Sequence, residues 1–207
     1  MKVLLVNGSP RKSGNTYTAL SQVADTLKEE GIESEIVWIG NKPVRGCIAC
    51  GRCKTDNNGK CVFDDDICNS ISAKFAESDG FVFGSPVYYG QPNGALLAIM
   101  QRAFFSNGAN LQNKPAAVVT ICRRGGATAA FEALQMPLQM MNMPLATSQY
   151  WNIAYGREPG QAEQDTEGMQ TMRTLAHNLA WMLRGLRGEN APDVPEREQW
   201  QPMHFIR

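Results

Sequence analysis

The sequence predicts an α/β fold: an open, doubly wound parallel sheet of five strands with helices on both faces. Three observations predict it. The runs Val3-Leu4-Leu5-Val6, Phe81-Val82-Phe83 and Ala116 to Cys122 are apolar without alternation, as strands covered on both faces require. The segments between such runs repeat apolar residues at three and four, the helical period. Strand and helix alternate along the chain, the pattern of successive βαβ units.

The elements follow in order. Lys2 to Val6 is strand one. The next helix starts near Thr16 and carries Tyr17, Leu20, Val23, Ala24 and Leu27 on one stripe. Gly31 ends it as a C-cap. Glu33 to Ile39 is strand two, and residues 40–65 form a long irregular stretch. Ile67, Ile71 and Phe75 mark a second helix, with Asp64, Asp65 and Asp66 favourable at its positive end. Phe81 to Phe83 is strand three. Leu96, Leu97, Met100, Ala103 and Phe104 mark the helix after it. Ala116 to Cys122 is strand four, followed by a helix rich in Ala, Leu and Met, and Ala146 to Ile153 is strand five. The last helix runs from Met169 to Leu186 at three and four spacing.

Five strands in this arrangement fit the flavodoxin-type order 2-1-3-4-5, with a ligand site between strands one and three. Residues 1–187 are expected to form one domain, with 40–65 inserted after strand two. Residues 188–207 form a polar, proline-marked tail whose Trp200, Phe205 and Ile206 are expected to dock on this subunit or a neighbour.

The chain has 207 residues, 43% apolar and 19% charged, with zero net charge. That composition is ordinary for a globular protein and offers no footing for nucleic acid or an anionic membrane. No apolar run approaches the ~18 residues of a membrane span. The first apolar stretch is too short for a signal-peptide core, so a cytoplasmic location is expected. Six cysteines are too sparse for a disulfide scaffold, but four lie within residues 47–61, which points to metal or redox chemistry in a reducing compartment. Two histidines, His177 mid-helix and His204 in the tail, leave little room for a histidine-based site.

The loop Asn7-Gly8-Ser9-Pro10-Arg11-Lys12-Ser13-Gly14-Asn15-Thr16 joins strand one to a helix. Its glycines allow close backbone approach, and the helix N-terminus and the hydroxyls of Ser9, Ser13 and Thr16 can donate to an anion. An ordinary turn is also rich in Gly, Ser and Asn. The coincidence of hydroxyls, glycines and Arg11 where α/β sheets bind ligands favours phosphate. The Walker pattern fails, since five residues separate Gly8 from Gly14 and Asn15-Thr16 follows. The Gly-x-Gly-x-x-Gly fingerprint is also absent. A phosphate monoester such as that of FMN suits this loop.

Two later loops converge on the same sheet edge. Pro86-Val87-Tyr88-Tyr89-Gly90 offers aromatic faces and backbone donors to a flat ring. Arg124-Gly125-Gly126 offers a close-approach wall, and Arg123 and Arg124 could attract nucleotide phosphates. Taken alone, either loop could be a plain turn.

Together, Asn-Gly-Ser-Pro-Arg-x-x-Gly-Asn-Thr, Ser-Pro-Val-Tyr-Tyr-Gly and Arg-Arg-Gly-Gly resemble the NADPH-dependent FMN reductase and flavodoxin-like flavoprotein superfamily. The resemblance spans residue 2 to about 186. It implies an FMN phosphate at Ser9, Arg11, Ser13, Asn15 and Thr16. It places the flavin ring at Pro86, Val87, Tyr88, Tyr89 and Gly90, with Arg124, Gly125 and Gly126 nearby. It implies electron flow from NADH or NADPH through FMN to flavins, quinones, other small acceptors or a redox protein. It also implies a homodimer or homotetramer. No side chain need act as acid or base, so no catalytic residue is assigned.

Cys47-x-x-Cys50-x-x-Cys53 with Cys61 after seven intervening residues suits a [4Fe–4S] cluster. The spacing resembles the iron–sulfur flavoprotein branch of the same superfamily. Val62, not proline, follows Cys61. Zinc held by four thiolates and a loop of uncoordinated thiols are the other readings. Cys68 and Cys122 are expected to be buried thiols. A flavodoxin-type electron carrier is the alternative function, though such carriers are strongly acidic and this chain is neutral. A response regulator lacks its acidic pair after strand one, and a cysteine phosphatase lacks its Cys-x5-Arg loop.

Overall fold

A computed structural model of the chain describes residues 1–56, 58–199 and 201–203. Trp200, Phe205 and Ile206, on which the docking expectation for the tail rests, lie outside the described residues. The central sheet contains β1 (Lys2–Asn7), β2 (Glu33–Trp38), β3 (Gly80–Tyr88), β5 (Ala116–Cys122) and β6 (Ile153–Tyr155). Its order is β2-β1-β3-β5-β6, with every pairing along that path parallel. This is the expected order 2-1-3-4-5. The numbering differs because a two-residue strand, β4 (Gln91–Pro92), folds back antiparallel onto β3.

Period-two alternation explains why β1 is apolar without a break. Val3 and Leu5 enter one core cluster, with α1 (Asn15–Glu29) and α6 (Thr166–Arg187). Leu4 and Val6 enter the other, with α3 (Cys68–Ala73), α4 (Gly94–Asn107) and α5 (Ala127–Met140). All four side chains are fully buried, each stabilising the fold by about 1.5–3 kcal/mol. Two covered faces leave no polar face for alternation to show.

Three departures from expectation have local causes. Strand three continues to Tyr88 because Val87 and Tyr88 pair with Pro92 and Gln91 in a hairpin. Strand five is broken: Leu145 bridges Ala116, and pairing resumes only at Ile153. Across the gap the buried Asn152 side chain donates to the Val118 carbonyl (3.1 Å), and the Asn152 carbonyl accepts from Thr120 N–H (3.0 Å). The stretch 40–65 contains a short helix, α2 (Arg52–Thr55).

Helix ends follow the chemistry of their residues. Gly31 takes φ +71° after α1, the left-handed geometry of a C-cap. Asp165 caps α6 through Gly168 N–H (2.9 Å), and Arg184 and Arg187 occupy its last turn. No helix among the described residues is long and apolar enough to cross a membrane. The described tail runs beside the same subunit, with Arg197 donating to Gln112 (3.1 Å). The carboxyl ends of β1, β3 and β5 meet at one edge, and the loops leaving them make the site.

Candidate functional site

The loop after β1 is held in shape before any ligand arrives. Gly8 N–H donates to the Gly84 carbonyl of β3 (2.8 Å). The Asn7 side chain, fully buried, accepts from Ser9 N–H (3.1 Å) and donates to the Lys12 carbonyl (3.1 Å). Trp38 Nε1 donates to the Ser9 carbonyl (2.7 Å) from β2. Asn93 Nδ2 donates to the Gly8 carbonyl (2.6 Å) while its Oδ1 caps α4 through Ala95 N–H. Ser85 Oγ accepts from Asn93 N–H (2.9 Å), tying that residue to β3. A Cβ on Gly8 would sit 2.7 Å from the Gly84 carbonyl oxygen, so this contact admits only glycine.

The loop opens onto α1, whose N-cap is Gly14 with no side-chain cap. The first-turn N–H groups therefore keep their capacity to bind an anion, beside the positive end of the helix dipole. Ser9 Oγ accepts from Arg11 N–H (3.1 Å) and keeps its own proton to donate. A cavity of about 210 Å³ is lined by Ser9, Arg11, Gly14, Asn15 and Thr16, together with Pro86, Val87, Tyr88, Cys122 and Arg123. Four of the five residues expected at a phosphate (Ser9, Arg11, Asn15 and Thr16) and three of the five expected at a ring (Pro86, Val87 and Tyr88) line this cavity; Ser13, Tyr89 and Gly90 do not. Ser13 lines a neighbouring depression with Tyr17. Asn15 lines the cavity, but its Oδ1 is taken by Ala162 N–H (3.1 Å).

The hairpin of β3 and β4 turns through Tyr89 (φ +52°) and Gly90 (φ +75°). Both central residues of a two-residue type I′ turn need positive φ, which asparagine and glycine tolerate and tyrosine does not. The Tyr89 ring stands fully in solvent. Such strained residues cluster at ligand clamps and switch regions. On the far side Gly126 takes φ +85°, and a Cβ there would lie 2.7 Å from Gly90 Cα. Loop three therefore packs backbone to backbone on the hairpin. Arg124, Gly125 and Gly126 line a second cavity of about 500 Å³ with Tyr150, Trp151 and Tyr155. The two cavities flank the Arg123–Gly126 turn. Burial pushes up the Cys122 thiol and the Tyr155 hydroxyl.

Asn7 and Ser85 stand within the sequence motifs without a role assigned to them, and Trp38 and Asn93 lie outside those motifs; all four brace the loop. Asn93 had a signal, an Asn directly before the apolar-periodic Gly94–Asn107 helix. Trp38 had none, because parallel pairing with β1 alone brings it to Ser9.

The cysteine loop is built differently. Cys47 and Cys50 are exposed, Cys53 and Cys61 half-buried, and Cys68 and Cys122 buried as expected. Burial pushes the Cys68 thiol up to about 12, which keeps it protonated, and burial also raises Cys53. Ala49 (φ +54°) and Gly51 (φ +72°) turn the backbone between the first three cysteines. Cys47, Cys50, Cys53 and Cys61 line one shallow cavity with Phe63, Phe105 and Arg102. Among the described residues no three His, Cys, Asp or Glu side chains gather to hold a single metal ion. Asn69 holds the far side of the loop through the Cys61 N–H and the Cys61 and Phe63 carbonyls. The buried Arg102 side chain reaches in from α4 and pairs with Asp66. Burial alone would lower the Arg102 pKa; the Asp66 carboxylate and the Cys61 sulfur outweigh it and hold the guanidinium above its ordinary value.

Fold and site together define a flavodoxin-like α/β protein with a cavity at an uncapped helix N-terminus and a second, cysteine-lined cavity. The chain belongs to the NADPH-dependent FMN reductase family, whose model matches residues 1–158. It is similar to an iron–sulfur flavoprotein of Methanocaldococcus jannaschii, 32% identical over 192 residues that cover 89% of this chain and 98% of that protein. It is also similar to an iron–sulfur flavoprotein of Methanosarcina thermophila, 31% identical over 88% of this chain and 95% of that one. Among solved structures it shares the fold of RosB, solved with bound 8-demethyl-8-formylriboflavin-5'-phosphate. The TM-score is 0.71 at 18% identity, with 100% of this chain and 94% of RosB covered.

Proposed function

We propose that this chain is an FMN-dependent oxidoreductase that passes electrons from NAD(P)H through bound FMN to a flavin, quinone or other small or protein acceptor. The observation that carries this reading is the cavity at the uncapped α1 N-terminus. There Ser9, Arg11 and Thr16 line one side and Pro86, Val87 and Tyr88 the other. The donors fit a phosphate monoester, and the hairpin with the Gly125–Gly126 wall fits a flat ring. Ser9, Arg11, Thr16 and the α1 amides would bind the phosphate. Pro86, Val87 and Tyr88 would bound the ring where they line the cavity, with Tyr89, Gly90 and the Gly125–Gly126 turn packed beside them. Arg124, beside the larger cavity, would meet the charge of a nicotinamide nucleotide.

The donor set suits a [4Fe–4S] cluster. Cys47, Cys50, Cys53 and Cys61 line one cavity, and each would bind a separate iron. Bound FMN would exchange a hydride or single electrons, and the cluster single electrons. The residues position and insulate these groups. A cytoplasmic homodimer or homotetramer, with the 188–207 tail docked, completes the proposal.

The test is a Ser9→Ala, Thr16→Ala double variant purified beside wild type without oxygen. FMN per chain is expected to fall severalfold with the fold intact by circular dichroism. Full flavin content in the variant would sink the site assignment. Steady NAD(P)H oxidation with a quinone supports the reductase; its absence in flavin-loaded protein leaves the electron carrier.

A further inference from the structure

We propose that Arg102 is the positioning residue of the cysteine loop: it fixes Cys61 from inside the core and sets the reduction potential of the cluster that loop carries. This rests on the cluster reading given above. The Arg102 side chain is wholly buried, although a buried cation is costly unless it is paired and hydrogen-bonded. A methionine would fill the same space of α4 without that cost. The use made of the guanidinium explains its presence. Nε donates to Cys61 Sγ (3.2 Å), Nη1 to the Arg45 carbonyl (3.3 Å) and to Asp66, and Nη2 to the Phe63 carbonyl (3.0 Å). The guanidinium also lies 5.4 Å from the centre of the Phe63 ring.

These partners sit at residues 45, 61, 63 and 66, so one side chain ties both ends of the cysteine loop to a core helix. Its neighbours on α4, Met100, Ala103 and Phe104, are buried in the core, so the anchor point is rigid. The N–H to Cys61 Sγ has a specific electrical consequence. Reduction of a thiolate-bound cluster adds negative charge to its sulfurs. A donated N–H stabilises that charge and favours the reduced form. Arg102 therefore raises the potential as well as shaping the loop.

The experiment uses full-length wild type, Arg102→Met and Arg102→Lys, prepared without oxygen. Iron and sulfide per chain, the midpoint potential of the cluster and amide hydrogen exchange over residues 45–66 of the metal-free protein are measured. In Arg102→Met the potential is expected to shift to more negative values and exchange in 45–66 to quicken at least tenfold. Arg102→Lys, with charge but no fork, is expected to fall between. If Arg102→Met takes up no iron, faster exchange in 45–66 and a lowered potential in Arg102→Lys support the proposal. Iron-loaded variants with the wild-type potential overturn it and leave the cluster reading intact. So do variants without iron whose loop exchanges at the wild-type rate. A wild-type chain that takes up neither iron nor sulfide overturns both.

Discussion

The loop after β1 and the loop after β2 leave neighbouring strands, yet they are held in opposite ways. Residues 7–16 are braced by backbone and side chains of three other segments: Gly84 of β3, Trp38 of β2 and Asn93 at the start of α4. Residues 40–66 lie mostly at the surface and turn through residues of positive φ. They are tied to the core by the fork of Arg102, by Val44 packed on the core and by Lys54 over the Phe105 ring, with Asn69 stitching the far end. The difference follows from what each loop would hold. A phosphate is bound by N–H dipoles whose directions must be set beforehand, because the anion makes no covalent bond to correct them. A metal cluster brings its own strong bonds, and its binding energy doubles as folding energy for the loop.

The comparison breaks first at the cysteines. A Cys50→Ser, Cys53→Ser double variant is expected to lose essentially all bound iron and sulfide while keeping wild-type FMN, measured as metal and flavin per chain. Loss of flavin in step with iron would show one coupled site rather than two loops.

The converse substitution is Gly8→Ala. Its Cβ would press on the Gly84 carbonyl oxygen at 2.7 Å, backbone that cannot turn aside. The strain is about 1–3 kcal/mol, so FMN affinity is expected to fall roughly ten- to a hundredfold by fluorescence titration, with iron content unchanged. An affinity within a factor of two of wild type would contradict a pre-set loop.

Asn93→Ala removes both the brace on Gly8 and the cap of α4. Loss of an N-cap costs about 1 kcal/mol, so a Tm lower by a few degrees is expected together with weaker FMN binding. A Tm change without any change in FMN affinity would confine Asn93 to the helix.

The smallest effect lies at the edge strand beside both loops. The Glu35 carboxyl is held below its ordinary 4.5 by its hydrogen bond to Lys74, against burial, with Lys2 adding to it. A lowered folded pKa means the stabilisation is full above about 4.5 and is lost as pH falls through the folded value. Glu35→Gln is therefore expected to lower stability slightly at pH 7 and by less as the pH falls through the folded pKa, by urea unfolding at pH 7 and at acid pH. An equal loss at both pH values would count against the ion pairs.

Much of this was legible in residue order. Apolar runs without alternation gave a parallel sheet covered on both faces, and the strand order matched. Ser9, Arg11, Thr16 and Pro86 to Tyr88 were named from their motifs, and they line one cavity. Ser13 lines a neighbouring depression instead, because a loop residue's side is set by the turn, and that turn is shaped by Asn7 bonding on both flanks. The break in strand five was invisible because Asn152 imitates a strand with its side chain.

By itself, the sequence determined what depends on local pattern. Period and caps fix the elements, and glycines and hydroxyls fix the anion-binding character of residues 7–16. Cysteine spacing fixes four thiols in reach of one another. Tertiary structure alone decided which distant groups brace those loops. Trp38 reaches Ser9 because β2 pairs parallel with β1, and Arg102 reaches Cys61 across forty-one positions because α4 packs beneath the loop. Such contacts carry no periodic signal, since they are set by how elements pack and not by what each residue's neighbours are.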